Sequence, residues 1–71
     1  MDSLKNLARM IAENPNNQKI YGKMDYTLDK DIFVKRYGKQ IAKLLSGLIS
    51  EKVGQEAARM IWEQKRGAER P

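Results

Sequence analysis

The clearest pattern in the chain is a helical separation of apolar and basic side chains over residues 32–50. On a helix that turns about 100° per residue, the apolar side chains fall within about 160° of arc, and they are Phe33, Val34, Tyr37, Ile41, Leu44, Leu45, Leu48 and Ile49. The opposite side contains no acid and consists of Lys35, Arg36, Lys39, Gln40, Lys43, Ser46 and Ser50. Ile32 is the one apolar residue that does not fit. The pattern predicts a long central helix over about 29–51, buried on its apolar face and exposed on its cationic face.

Two shorter helices are predicted on either side of the central helix. The first covers about 3–13 and ends before Pro15, because a proline disfavours the helical conformation in the residue that precedes it. The last covers about 54–66, after a break near 52–54, and residues 67–71 are expected to fray. Their apolar stripes are Leu4, Leu7, Ala8 and Ile11 in the first helix, and Val53, Ala57, Ala58, Ile61 and Trp62 in the last.

Gly38 lies inside the central helix, where a glycine costs about 1 kcal/mol relative to alanine. It stands at the edge of the apolar arc. Either the close approach of another backbone or a kink in the helix explains a glycine there.

Between the first two helices the period changes from 3.6 to 2, which is typical of a half-buried strand. The alternation predicts an extended segment over about 19–27 with Tyr21 and Lys23 on its polar side. A single strand needs a partner, so it is an ordered loop, it pairs with a second copy, or it forms a hairpin over 19–37. The expected fold is therefore mainly α, a single three-helix domain over residues 1–71, and the alternative is an α+β fold that contains the hairpin.

Charge is distributed unevenly along the chain. The net charge is +5, and residues 1–31 contain five cations and five acids, so the whole excess lies in residues 32–71. A concentrated positive field favours an anionic partner such as nucleic acid, an acidic protein surface or a charged membrane. No apolar run is long enough to span a bilayer and the N-terminus lacks a signal-peptide core, so a cytoplasmic location is expected.

The residue types give little support for catalysis. The chain has neither histidine nor cysteine and no glycine-rich phosphate loop, so we expect a non-enzymatic protein without a metal or a cofactor. Asp25, Asp29 and Asp31 are interrupted by lysine and are interpreted as a turn and a helix start. A 71-residue chain buries only roughly 60% of its unfolded surface, and association as a homodimer is the simplest additional source of stability.

The cationic face of the central helix is the best candidate binding site. Lys35, Lys39 and Lys43 follow one another at about 6 Å along the helix, next to Arg36, which suits contacts to phosphates. Gln40 could hydrogen-bond to a base edge in the major groove of duplex DNA.

Residues Tyr21 and Lys23 enter the candidate site through a topological resemblance. The order of an extended segment followed by two helices resembles ribbon–helix–helix repressors, in which two copies pair their strands and insert them into the major groove. That resemblance implies that the polar side of the segment faces DNA. The predicted function is a dimeric DNA-binding regulator; the alternative is a protein-interaction adaptor or inhibitor that docks helices on a larger partner, and membrane attachment is the least favoured.

Overall fold

The computed structural model describes residues 3–44 and 50–68, and this part of the chain is helical without a strand. Its α-helices are α1 (Ser3–Ala12), α2 (Gln18–Tyr21), α3 (Lys30–Leu44) and α4 (Glu51–Ala68), and a 3₁₀ turn (Pro15–Asn17) joins the first two. The predicted mainly α class is confirmed. Some positions named in the sequence analysis lie outside the described residues, namely 45, 46, 48 and 49 of the predicted central helix and the tail at 69–71.

The extended segment predicted over about 19–27 is wrong, and so is the alternative hairpin over 19–37. The chain is helical up to Tyr21 and then follows turns to the start of α3, and the whole of 30–44 is helical. Tyr21, predicted on the polar side, is buried, and its hydroxyl donates to the Ile11 carbonyl at 2.9 Å. The alternation gave the wrong side for Tyr21 because a tyrosine ring can be buried when a backbone carbonyl accepts a hydrogen bond from its hydroxyl.

The predicted bounds of the longer helices also need correction. Ser50 is not helical and α4 begins at Glu51, so the central helix does not run to 51, and the break expected near 52–54 lies earlier. The reason is a helix cap: the Ser50 carbonyl accepts from the Gly54 amide at 3.2 Å, and its hydroxyl oxygen accepts from the Val53 amide at 3.4 Å. Gly67, predicted to fray, belongs to α4.

Helix α4 is the centre of the fold, because both α1 and α3 pack along it. The core between the three helices combines alanines with larger apolar side chains of α1 and α4, and two large side chains from α3 are completely buried in it. The alanines are Ala8, Ala12, Ala57 and Ala58, and the two side chains from α3 are Phe33 and Ile41. Helix α3 therefore lies at one edge of the molecule, with α4 behind it.

The crossing of α3 and α4 depends on two glycines. A Cβ added to Gly54 would overlap the carbonyl oxygen of Gly38 and lie 3.1 Å from the amide nitrogen of Ala42. A Cβ on Gly38 would lie 2.5 Å from Cγ and 2.9 Å from Cα of Gln55. The close approach predicted for Gly38 is confirmed, and it fixes the distance between the two helices.

The turn at 22–29 is attached to α3 and α4 through its backbone. Trp62 Nε1 donates to the Leu28 carbonyl at 3.0 Å, and Arg66 donates to the Tyr26 carbonyl at 2.8 Å. The Asp25 amide donates to the hydroxyl oxygen of Tyr37 at 3.0 Å. These bonds hold the turn that leads into α3 and so help to orient the N-terminal end of that helix.

Candidate nucleic-acid interface

The outer side of α3 carries the residues that the sequence analysis singled out. Burial of Phe33, Gly38 and Ile41 against α4 fixes the rotation of the helix about its axis. The opposite side chains, Lys35, Arg36, Lys39, Gln40 and Lys43, are all exposed. We call these five residues the cationic face of α3.

The cations of this face are not neutralised by carboxylates of the described residues. Within 3–44 and 50–68 the recorded ion pair joins Lys30 Nζ to Glu63 Oε2 at 3.4 Å, and it lies at the start of α3, away from the cationic face. Lys35, Lys39 and Lys43 project at steps of about 6 Å, so the three ammonium groups start from backbone positions spread over about 12 Å. The face can therefore approach a row of phosphates without first breaking an internal ion pair.

Helix α4 shows the ordinary pattern for comparison. Its solvent-facing side alternates in sign along the helix, in the order Lys52, Glu56, Arg59, Glu63 and Arg66. Such alternation is typical of a helix face that serves only as protein surface. The grooves beside α4 are likewise mixed: one of about 560 Å³ is lined by Lys5, Arg9, Glu56, Arg59 and Glu63 among others, and one of about 230 Å³ by Asp31, Lys35 and Arg59 among others. In the described part of the chain, the outer side of α3 from Lys35 to Lys43 carries cations and glutamine without an acid, and Asp31 and Asp25 lie only at its margins.

Tyr21 and Lys23 do not join this face in the way the sequence analysis proposed. Tyr21 is 3% exposed, and burial raises the pKa of its phenol above the usual 10.0. Lys23 is exposed, but it lies in the turn after α2 and not on a strand. With no strand in residues 3–44 and 50–68, the ribbon that the topological resemblance required is missing from the described structure.

Two acids lie beside the cationic face: Asp31 shares a groove with Lys35, and Asp25 lies within the field of Arg36. Hydrogen bonds from the hydroxyl and the amide of Thr27 hold the pKa of the Asp25 carboxyl below the usual range, and the charge of Arg36 lowers that pKa further. Asp25 is exposed, so it marks a margin of the face at which the positive field is weakened.

The aromatic side chains pack against the core and against one another, so they do not form an exposed surface on which nucleic-acid bases could stack. Tyr37 and Trp62 are half-buried against the core, as predicted, and their polar atoms bind the backbone of the 22–29 turn. The rings of Tyr26 and Phe33 lie 5.0 Å apart, and those of Phe33 and Tyr37 lie 4.6 Å apart.

Ile32 lies beside the cationic face, although the sequence analysis does not include it among the candidate site residues. It is 49% exposed and lies on the same side of α3 as Arg36, Lys39 and Lys43. Its position outside the apolar arc is the feature of the sequence that indicates this exposure.

In the described residues, acids do not gather in groups of three that could hold a metal ion, and none of the helices there is both long and apolar enough to cross a bilayer. Comparisons with protein-family models, curated protein sequences and solved structures found no match to this chain.

Proposed function

We propose that this protein is a cytoplasmic, non-enzymatic DNA-binding regulator that holds duplex DNA with the cationic face of α3. The observation that supports the proposal is the contrast between two helices of one chain. The outer side of α4 alternates acids and bases, whereas the outer side of α3 from Lys35 to Lys43 contains cations and glutamine without an acid. Ordinary surface requirements account for the first pattern and not for the second.

The shape of the domain is compatible with this role. Helix α3 lies at one edge and its packed side is turned to α4, so its outer half is free to approach a groove. A helix with side chains is about 10–12 Å across, and the major groove of B-form DNA is about 12 Å wide. In this arrangement Lys35, Lys39 and Lys43 contact phosphates, and Gln40 reaches a base edge.

The salt dependence of binding tests the proposal. For wild type, the logarithm of the affinity for a 24-base-pair duplex should fall linearly with the logarithm of the salt concentration, with a slope of about −0.9 per neutralised phosphate. Substituting glutamine for Lys35, Lys39 and Lys43 together should make the slope shallower by about 2–3. The same helical content by circular dichroism would show that the fold is intact.

A charge-matched control separates the site from the overall charge. The triple variant Lys5→Gln, Arg9→Gln and Arg59→Gln removes the same three positive charges from exposed positions on α1 and α4. This control variant should keep most of the wild-type slope of affinity against salt concentration. Equal losses in the two triple variants, or no binding by wild type at about 50 mM salt, would contradict the proposal.

A second candidate, a protein-interaction module, is favoured by the outer edge of α1. Leu4, Leu7 and Met10 are 37%, 40% and 69% exposed, and the neighbouring exposed residues Ser3 and Asn6 are uncharged. An apolar, uncharged edge of this kind suits docking on a second copy or on a larger partner.

We propose a homodimer through this edge, and the mass of the protein in solution tests it. Wild type should have twice the chain mass, and the double variant Leu7→Gln with Met10→Gln should have the mass of the monomer. A monomeric wild type would exclude the dimer and leave the edge to a different partner.

A further inference from the structure

The position of Ile32 on α3 suggests what the cationic face recognises. Ile32, Arg36, Lys39 and Lys43 follow one another at intervals of four, three and four residues, which places them within about 60° of arc on the helix. Ile32 is 49% exposed, whereas the adjacent Phe33 is completely buried. The central line of the cationic face therefore begins with a branched apolar side chain that is only partly used by the core.

The residues around Ile32 argue against a membrane as its partner. Asp29 and Asp31 are both exposed and stand at the start of α3. Inserting Ile32 into an anionic bilayer would bring these two carboxylates into a negatively charged interface. The other exposed large apolar side chain of α3, Leu44, lies at the opposite end of the helix and so cannot offset that repulsion beside Ile32. On the floor of a major groove, by contrast, the amino groups of cytosine and adenine can donate hydrogen bonds to carboxylates.

We propose, on the basis of the proposed DNA-binding function, that Ile32 contacts the C5-methyl groups of thymine in the major groove, so that the ligand is thymine-containing B-form DNA and not RNA. The thymine methyl is the apolar group that the major-groove floor of unmodified DNA presents to a side chain. Uracil lacks this methyl, and the major groove of A-form RNA is too deep and narrow for side chains to read. The phosphates give affinity through the lysines, and Ile32 adds a preference for A·T pairs.

Removing the thymine methyl from the ligand tests this without altering the protein. We compare the full chain on a 24-base-pair alternating d(AT) duplex with its binding to the same duplex carrying deoxyuridine in place of thymidine. Burial of one methyl-sized group corresponds to about a fourfold change in affinity, so wild type should bind the thymine duplex about fourfold more tightly for each methyl in contact. Equal binding to both duplexes overturns the inference and leaves the proposed function standing, whereas no binding to either one removes the proposed function itself.

Two variants assign the preference to the side chain. Ile32→Ser should bind both duplexes equally and keep the wild-type salt slope, because no phosphate contact is lost. Lys39→Gln is the matched control on the same line: it should weaken binding to both duplexes, lower the slope by about 1 and keep the thymine preference. A thymine preference that survives in Ile32→Ser overturns the inference, as does Ile32-dependent binding to anionic vesicles that exceeds binding to the thymine duplex.

Discussion

Replacing Gly54 by alanine should destabilise the domain, although alanine is the better helix former. The new Cβ would overlap the carbonyl oxygen of Gly38 and lie 3.1 Å from the amide nitrogen and 3.2 Å from Cβ of Ala42. These are atoms of the α3 backbone and of a short side chain, so none of them can rotate away. The two helices must separate to accept the methyl group, and the core between them loosens.

The expected size follows from two opposing effects. Alanine improves helix propensity by about 1 kcal/mol, and overpacking a close contact costs typically about 1–3 kcal/mol, or more where the backbone must move. Because the nearest atoms at Gly54 belong to the backbone, we expect a net loss of about 2 kcal/mol in the free energy of unfolding. For a domain of this size that corresponds to a fall in Tm of roughly 8–16 °C.

Thermal and urea denaturation followed by circular dichroism measure the effect, with Gly67→Ala as the matched control. Gly67 lies in the same helix, and a Cβ there would meet no atom within 4 Å. Gly67→Ala should therefore raise the stability, by at most about 1 kcal/mol. If Gly54→Ala were as stable as Gly67→Ala, the helices would not approach as closely as described, and the reasoning about the crossing would be refuted.

Three further measurements address the turn and the surface. Trp62→Phe should destabilise by about 1 kcal/mol in urea, because the Leu28 carbonyl loses its donor; an unchanged midpoint would show that this bond adds nothing. Burial raises the pKa of Tyr21, so the folded state holds the phenol proton more tightly than the unfolded chain does. The contribution of this phenol to stability should be constant below about pH 10 and fall above it, so the stability of Tyr21→Phe should fall less than that of wild type between about pH 10 and 11. A double-mutant cycle on the exposed pair Lys30 and Glu63 should give a coupling below about 1 kcal/mol that decreases in high salt, and a larger, salt-independent value would contradict the surface geometry.

The sequence predicted the faces of α3 well, because large side chains carry a strong periodic signal. Phe33 and Ile41 are buried and Lys35, Lys39 and Lys43 are exposed, as the helical wheel predicts, whereas Leu44, predicted on the buried face, is 38% exposed. The sequence did not predict that α4, and not α3, is the helix against which the other two pack. The apolar side of α4 contains alanines and a glycine, which carry a weak periodic signal, yet those small residues allow α4 to contact α1 and α3 closely.

The path of the chain between α2 and α3 could not be read from the pattern of residues. Tyr21 occupies a polar position in the alternation, yet it is buried. The Ile11 carbonyl, ten residues earlier in the chain, accepts a hydrogen bond from its hydroxyl. Trp62 and Arg66 similarly bind carbonyls more than thirty residues away. Contacts of this range depend on the tertiary arrangement, and a local period of 2 or 3.6 contains no information about them.

The way the 22–29 turn is attached has a consequence for how this protein can be diversified. The indole of Trp62, the guanidinium of Arg66 and the phenol of Tyr37 bind main-chain atoms of the turn, and main-chain atoms are present whatever side chains the turn carries. An exposed position such as Lys23 can therefore change identity while the course of the backbone is kept. The turn is a ready-made site for a combinatorial library: a fixed loop, adjoining a helix whose outward residues can be varied separately, on a scaffold of 71 residues.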